Sequence, residues 1–171
     1  MIYEDYFPDF ITVTCYNWER LIAHEDEKEI IIQSLRFLVS AKKVNVHAFV
    51  LMDNHFHLIW RIKQGHTRAA IQRDFLHYTA TQIIKNLKAK TPEIIDKIEV
   101  NLKDRKYQVW QRNSLSIELR SESVYNQKLD YIHNNPVKAG LCSLEEEYKY
   151  SSAKHYILNE KNWDFITNPD D

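Results

Sequence analysis

VNVHAFVLMDNHFHLIWRI, Val44 to Ile62, is the stretch whose reading decides the fold. Val44 to Met52 is rich in β-branched and aromatic residues, Asp53 and Asn54 form a turn pair, and His55 to Ile62 alternates between polar and apolar positions. The pattern predicts two antiparallel strands joined by a tight turn. Within His55-Phe56-His57, strand alternation sends both imidazoles to one face and the phenyl ring to the other. The two histidines can then chelate one ion while Phe56 packs in a core, although on this spacing alone they are equally well read as surface or satisfied histidines.

Upstream of the hairpin, FITVTCY from Phe10 to Tyr16 reads as a strand, and Glu25 to Lys43 as an amphipathic helix with acidic residues in its first turn and lysines in its last. Downstream, Thr67 to Lys90 predicts a second long helix with Thr67 as its cap. Lys90 to Arg105 reads as a connector. Tyr107 to Leu119 reads as a fourth strand, bent or split at Arg112 to Ser114. A last helix starts at Ser121 and is expected to stop at Pro136, with Gly140 marking the following turn. The order β-α-β-β-α-β plus a helix predicts an α+β fold of the ferredoxin-like, split βαβ kind. Its antiparallel sheet carries helices on one face and leaves the other free for a site, and an extra C-terminal helix carries Tyr131. One domain is expected over 1–171, with a core from about 8 to 141 and a peripheral tail of helix and loops over 142–171.

Composition narrows the chemistry. The chain has 171 residues with only two glycines, and it lacks both GxxxxGK[ST] and GxGxxG, so no nucleotide cofactor is expected. Cys15 and Cys142 form no CxxC, which argues against a disulfide framework and a thiolate zinc site. The acidic N-terminus does not resemble a signal peptide, and the longest apolar run, Val44 to Met52, is too short to span a bilayer. A soluble, cytoplasmic protein without membrane attachment is the expectation. The net charge of −1 hides an asymmetry: Ile32 to Arg120 carries 16 basic and 7 acidic residues, whereas Met1 to Ile31 carries 2 basic and 8 acidic. A polyanion would be steered to the middle of the chain, unless these charges are simply solvated helix faces.

The last predicted helix supplies a second element. Tyr131 and Asn135 lie four residues apart and share a face, while His133 points elsewhere. If that face meets the histidine pair, Asn135 can add an amide oxygen to a metal and Tyr131 stands beside it. Spacing alone also permits a packed Tyr131 and an Asn135 that caps the helix end.

Two blocks resemble the single-tyrosine transposases of the HUH class. VHAFVLMDNHFHLIW, Val46 to Trp60, resembles their histidine motif, and LDYIHNNPVKAGL, Leu129 to Leu141, resembles the tyrosine-helix signature of the REP-associated tyrosine transposases. Val109-Trp110-Gln111 and Tyr150-Ser151-Ser152-Ala153 are similar to that group as well. The resemblance implies a ferredoxin-like fold, a homodimer, and cleavage and transfer of single-stranded DNA beside a hairpin. It makes His55, His57 and Asn135 ligands of a divalent metal, Mg²⁺ or Mn²⁺, and Tyr131 the nucleophile of a 5′-phosphotyrosine intermediate. Arg61, Lys63, Arg68, Arg73, Arg105, Lys106 and Arg112 are candidates for the DNA backbone, and Trp60, Tyr107 and Trp110 for base stacking. Two rival functions are a non-catalytic single-stranded DNA hairpin-binding protein descended from a transposase, and a metal-dependent phosphoesterase acting through water.

Overall fold

The computed structural model describes residues 6–171. β1 (Asp9–Thr14), α1 (Glu25–Ser40), β2 (Val44–Leu51), β3 (His55–Ile62) and α2 (Arg68–Lys90) follow the predicted order. A small hairpin of β4 (Glu99–Leu102) and β5 (Arg105–Tyr107), then β6 (Leu115–Glu118), α3 (Glu122–Lys138) and the short α4 (Ala153–Ile157) complete the chain. The main sheet has the order β2-β3-β1-β6 with every pairing antiparallel, and so has the split βαβ topology.

Strand alternation partitions the side chains. Ile11 and Val13 of β1, with Phe56, Leu58 and Trp60 of β3, enter one core with Ile31, Ile32 and Leu35 of α1 and Phe75 and Ile83 of α2. Each such buried side chain contributes about 1.5–3 kcal/mol of transfer free energy. The Thr67 side chain accepts the Ala70 N–H and starts α2 where the sequence places its cap. On the opposite face, Phe10, Ala48, Val50 and Ile59 meet Ile132 of α3. The face expected to be free is therefore partly roofed by the tyrosine-bearing helix.

Three expectations are corrected. α3 does not stop at Pro136 but runs two residues further, to Lys138. A proline this late in a helix removes only the bond its missing N–H would have made to the Ile132 carbonyl, and the end is closed otherwise. Gly140 N–H bonds the Val137 carbonyl and Leu141 N–H the Pro136 carbonyl, with Gly140 at φ +74°, a Schellman end that favours glycine. The connector after Lys90 holds a 3₁₀ segment, Pro92–Ile98, and the β4–β5 hairpin. Nor is the tail peripheral. Ser151 bridges Val50 and Ile166 bridges Val46, so the tail covers the outer edge of β2, and Tyr150, Trp163 and Phe165 are buried in the main core.

The fourth strand is split, as expected. Tyr16 N–H bonds the Val109 carbonyl and Gln111 N–H the Thr14 carbonyl; the chain then loops out and pairs with β1 again from Leu115. Among the described residues no helix is long and apolar enough to cross a membrane.

Candidate active site

The turn pair Asp53 and Asn54 is clamped from below. Lys28, almost fully buried, donates from Nζ to the carbonyls of Ile22 and Ala23 and to Asp53 Oδ1, and Arg20 pairs with the same carboxylate. Burial would raise the Asp53 pKa, but these two cations hold it below the ordinary value. The turn is thus fixed at the point where β3 begins with the first histidine.

His55 and His57 lie side by side with ring centroids 5.0 Å apart. Asn54 Oδ1 lies 2.7 Å from His55 Nδ1, and because that oxygen can only accept, Nδ1 carries the proton and the Nε2 lone pair is left open. His57 Nδ1 lies 2.8 Å from Thr12 Oγ1, while Asn135 Nδ2 approaches its Nε2 at 3.3 Å. Nε2 is again the nitrogen with the lone pair. Burial lowers the pKa of both rings, that of His57 to about 3 with further lowering from His55 and Lys128, while Asn135 partly offsets the effect at His55. Both imidazoles are neutral at pH 7, the form that can ligate a metal.

α3 brings the remaining groups. Its buried stripe, including Ile132 and Pro136, packs on the sheet, which turns Lys128, Tyr131 and Asn135 toward the histidines. The Tyr131 ring sits edge-on to His57 at 5.1 Å and remains 42% exposed, so a large substrate can reach it. Phe10 stacks on His57 at 5.4 Å and meets the Tyr131 ring edge-on at 6.0 Å. Lys128 Nζ lies 4.9 Å from the Phe10 ring centroid and 5.7 Å from that of Tyr131. Trp18 is 64% exposed, has a φ of +57°, and stands edge-on to His55 at 6.3 Å.

Tyr131, His55, His57 and Asn135 are therefore brought together. His133, as expected, is turned away; it is buried, with Nε2 2.9 Å from Ser152 Oγ. Thr12, Trp18 and Lys128 were missed. Only Lys128 had a legible signal, the three-residue spacing from Tyr131 on the same face.

The basic candidates are scattered over β3 (Arg61), the segment after it (Lys63), α2 (Arg68 and Arg73), the small hairpin (Arg105 and Lys106) and the loop before β6 (Arg112). Arg68 pairs with buried Asp9, Arg73 with Asp74 and Arg105 with Asp104, while Lys106 lies over the Tyr107 ring. Of the proposed stacking residues, Trp60 is fully buried and Trp110 is 7% exposed, so both are core residues and unavailable to bases. A groove of about 700 Å³ between α1 and α2, with Phe37, Phe75 and Tyr78 in its walls, contains none of the motif residues.

Among the described residues, no three histidine, cysteine, aspartate or glutamate side chains gather to hold a metal. The available donors are instead two neutral imidazoles and one carboxamide. Each histidine has its Nδ1 fixed by an oxygen, the arrangement that orients a ligating imidazole, and turning over the Asn135 amide presents Oδ1 to the same space. This donor set fits a divalent cation.

No family model matches the chain. An uncharacterized protein of Haemophilus influenzae is 29% identical over 145 residues, covering 75% of this chain and 79% of the relative. A second protein of that organism, named "Putative REP-associated tyrosine transposase", is 27% identical over 116 residues, covering 66% of this chain and 61% of the relative. The fold matches a solved structure of the REP-associated tyrosine transposase bound to a REP hairpin with a TM-score of 0.67, at 18% identity, over 92% of this chain and 83% of that one. It also matches a crystal structure of a putative transposase from Deinococcus radiodurans at 0.50 and 13% identity, over 78% and 94% of the two chains. In sequence the chain is similar to a protein named as a putative REP-associated tyrosine transposase, and it shares the fold of the REP-associated tyrosine transposase structure.

Proposed function

We propose that the chain cleaves single-stranded DNA and transfers the broken strand, with Tyr131 as the nucleophile. The observation that carries this reading is the convergence of an exposed phenol, two neutral imidazoles and a carboxamide at the junction of α3 and β3. His55, His57 and Asn135 would hold a divalent cation, Mg²⁺ or Mn²⁺, which when bound neutralises charge on the phosphate.

The tyrosine oxygen gives up its proton to water and attacks phosphorus, forming a 5′-phosphotyrosine; the bond to the 3′-oxygen breaks, and that oxygen takes up a proton and leaves as a hydroxyl. A 3′-hydroxyl of another end reverses the step and restores the phenol, so joining needs no nucleotide. Lys128 stands over the Tyr131 ring and supplies fixed positive charge where phosphate oxygens must lie. His57, with its pKa near 3, stays a lone-pair donor and does not serve as an acid at neutral pH. Trp18 offers an exposed indole on which a base flanking the reacting phosphate stacks. The REP hairpin bound by the structural relative supports a hairpin-containing single strand as the substrate.

The test is incubation with labelled single strands containing hairpins, with Mg²⁺ or with EDTA, followed by a denaturing gel. A metal-dependent, denaturant-resistant adduct is expected. Binding without attachment would instead identify a non-catalytic DNA-binding protein, and metal-dependent hydrolysis that survives Tyr131→Phe would identify a phosphoesterase.

A further inference from the structure

Arg61 projects from the same face of β3 as His55 and His57, four residues beyond the second histidine and so about 13 Å along the strand at roughly 3.3 Å per residue. α3 runs antiparallel to β3 above it, which places Tyr125 over Arg61 as Tyr131 stands over His57. Arg61 is half-buried, yet its Nε is enclosed without a hydrogen-bond partner, and its side chain makes no ion pair among the described residues. Apart from the exposed Arg112, every other arginine among them lies within 4.0 Å of a carboxylate.

The neighbours of Arg61 offer no countercharge. His47 is held by the Thr167 carbonyl on Nδ1 and kept neutral by burial. The Tyr125 hydroxyl is buried and turned toward that of Tyr156, whose own proton is given to the His47 carbonyl. The one acid in electrostatic reach of Tyr125 is exposed Asp170. A half-buried guanidinium with no ion pair and neutral neighbours has the chemistry of an anion site.

We propose that Arg61 forms a second phosphate-binding subsite, which grips a backbone phosphate of the same single strand at a distance from the one at His55 and His57. The subsite rests on the strand-transferase reading for the identity of its ligand. Arg61 is a positioning residue here and takes no part in the bond-making step.

The test is fluorescence anisotropy with labelled oligothymidylate, titrated at several salt concentrations. Each phosphate contact with a single strand contributes about 0.7 to the slope of log affinity against log salt, so Arg61→Gln should flatten the slope by about 0.7. Arg61→Lys should keep the slope. Combining Arg61→Gln with Lys128→Gln should flatten the slope by about 1.4, the sum for two separate phosphates. A wild-type slope in Arg61→Gln, or no further change when it is added to Lys128→Gln, overturns the subsite.

A measurement on the unaltered chain guards against a folding defect. Oligothymidylate should protect Arg61 from phenylglyoxal, located by peptide mass, and equal modification with and without DNA overturns the proposal. A wild type that binds but never forms an adduct contradicts the transferase and leaves the subsite standing. Adduct formation with an unchanged slope does the reverse.

Discussion

Arg68→Gln separates a role in the fold from a role on DNA. Asp9 is fully buried between the paired strands β1, β3 and β6, one carboxylate oxygen lacks a hydrogen bond, and Arg68 holds the other. Burial pushes the Asp9 carboxyl up from 3.8 to about 6 even though Arg68 pulls it back. Because the folded chain binds this proton more tightly than the unfolded one, the protonated group favours folding. That contribution is complete below about pH 4 and is lost as pH rises through about 6.

Removing Arg68 leaves a buried carboxylate unpaired, which costs about 3–5 kcal/mol near pH 7.5. At pH 4.5 the carboxyl escapes by protonation, and the cost falls to the roughly 1 kcal/mol of a lost hydrogen bond. At about 2–4 °C per kcal/mol for a domain of this size, the melting temperature of Arg68→Gln should lie roughly 10 °C below wild type at pH 7.5 and within a few degrees of it at pH 4.5. Asp9→Asn combined with Arg68→Gln should recover most of the loss. Thermal unfolding followed by circular dichroism reads this directly. A variant as stable as wild type at pH 7.5 but weakened in DNA binding would refute the assignment and return Arg68 to the DNA contacts.

Three further outcomes follow from named contacts. Ser152→Ala should cost about 1–3 kcal/mol in a chemical denaturation curve, because the buried Ser152 hydroxyl serves both the Phe49 backbone and His133; a neutral change would mean that the tail is not part of the core. Gly140→Ala places a side chain at φ +74° and should cost about 1 kcal/mol by the same assay, with no change expected if the Schellman end is dispensable. Trp18→Ala should weaken single-strand binding by roughly 1–3 kcal/mol, the worth of one stacked base, without moving the melting temperature. Unchanged affinity would remove the indole from the site.

The hairpin was legible because alternation, a turn pair and β-branched residues all agree over Val44–Leu51 and His55–Ile62. The convergence of Tyr131 and Asn135 on one helical face was legible for the same reason, since the 3.6-residue period fixes it locally. What the sequence hid depends on contacts between distant residues. Trp60 and Trp110 read as candidate base-stackers until packing buried them, and the tail has no period because it is held by single bridges to β2 at Ser151 and Ile166. Thr12 is an ordinary strand residue until strand pairing sets it opposite His57. Pro136 misled for a physical reason: the rule against proline is strong in a helix interior and weak in a last turn that a glycine closes.

The reading of Tyr131 as the attacking group is tested most directly by mapping the covalent adduct. Wild type is incubated with hairpin-bearing single strands and Mg²⁺, digested with protease and nuclease, and searched by mass spectrometry for a nucleotide-modified peptide. The account predicts one modified peptide, with the phosphate on Tyr131, absent from Tyr131→Phe although that variant still binds DNA. An adduct on another residue, or one that persists in Tyr131→Phe, would contradict it.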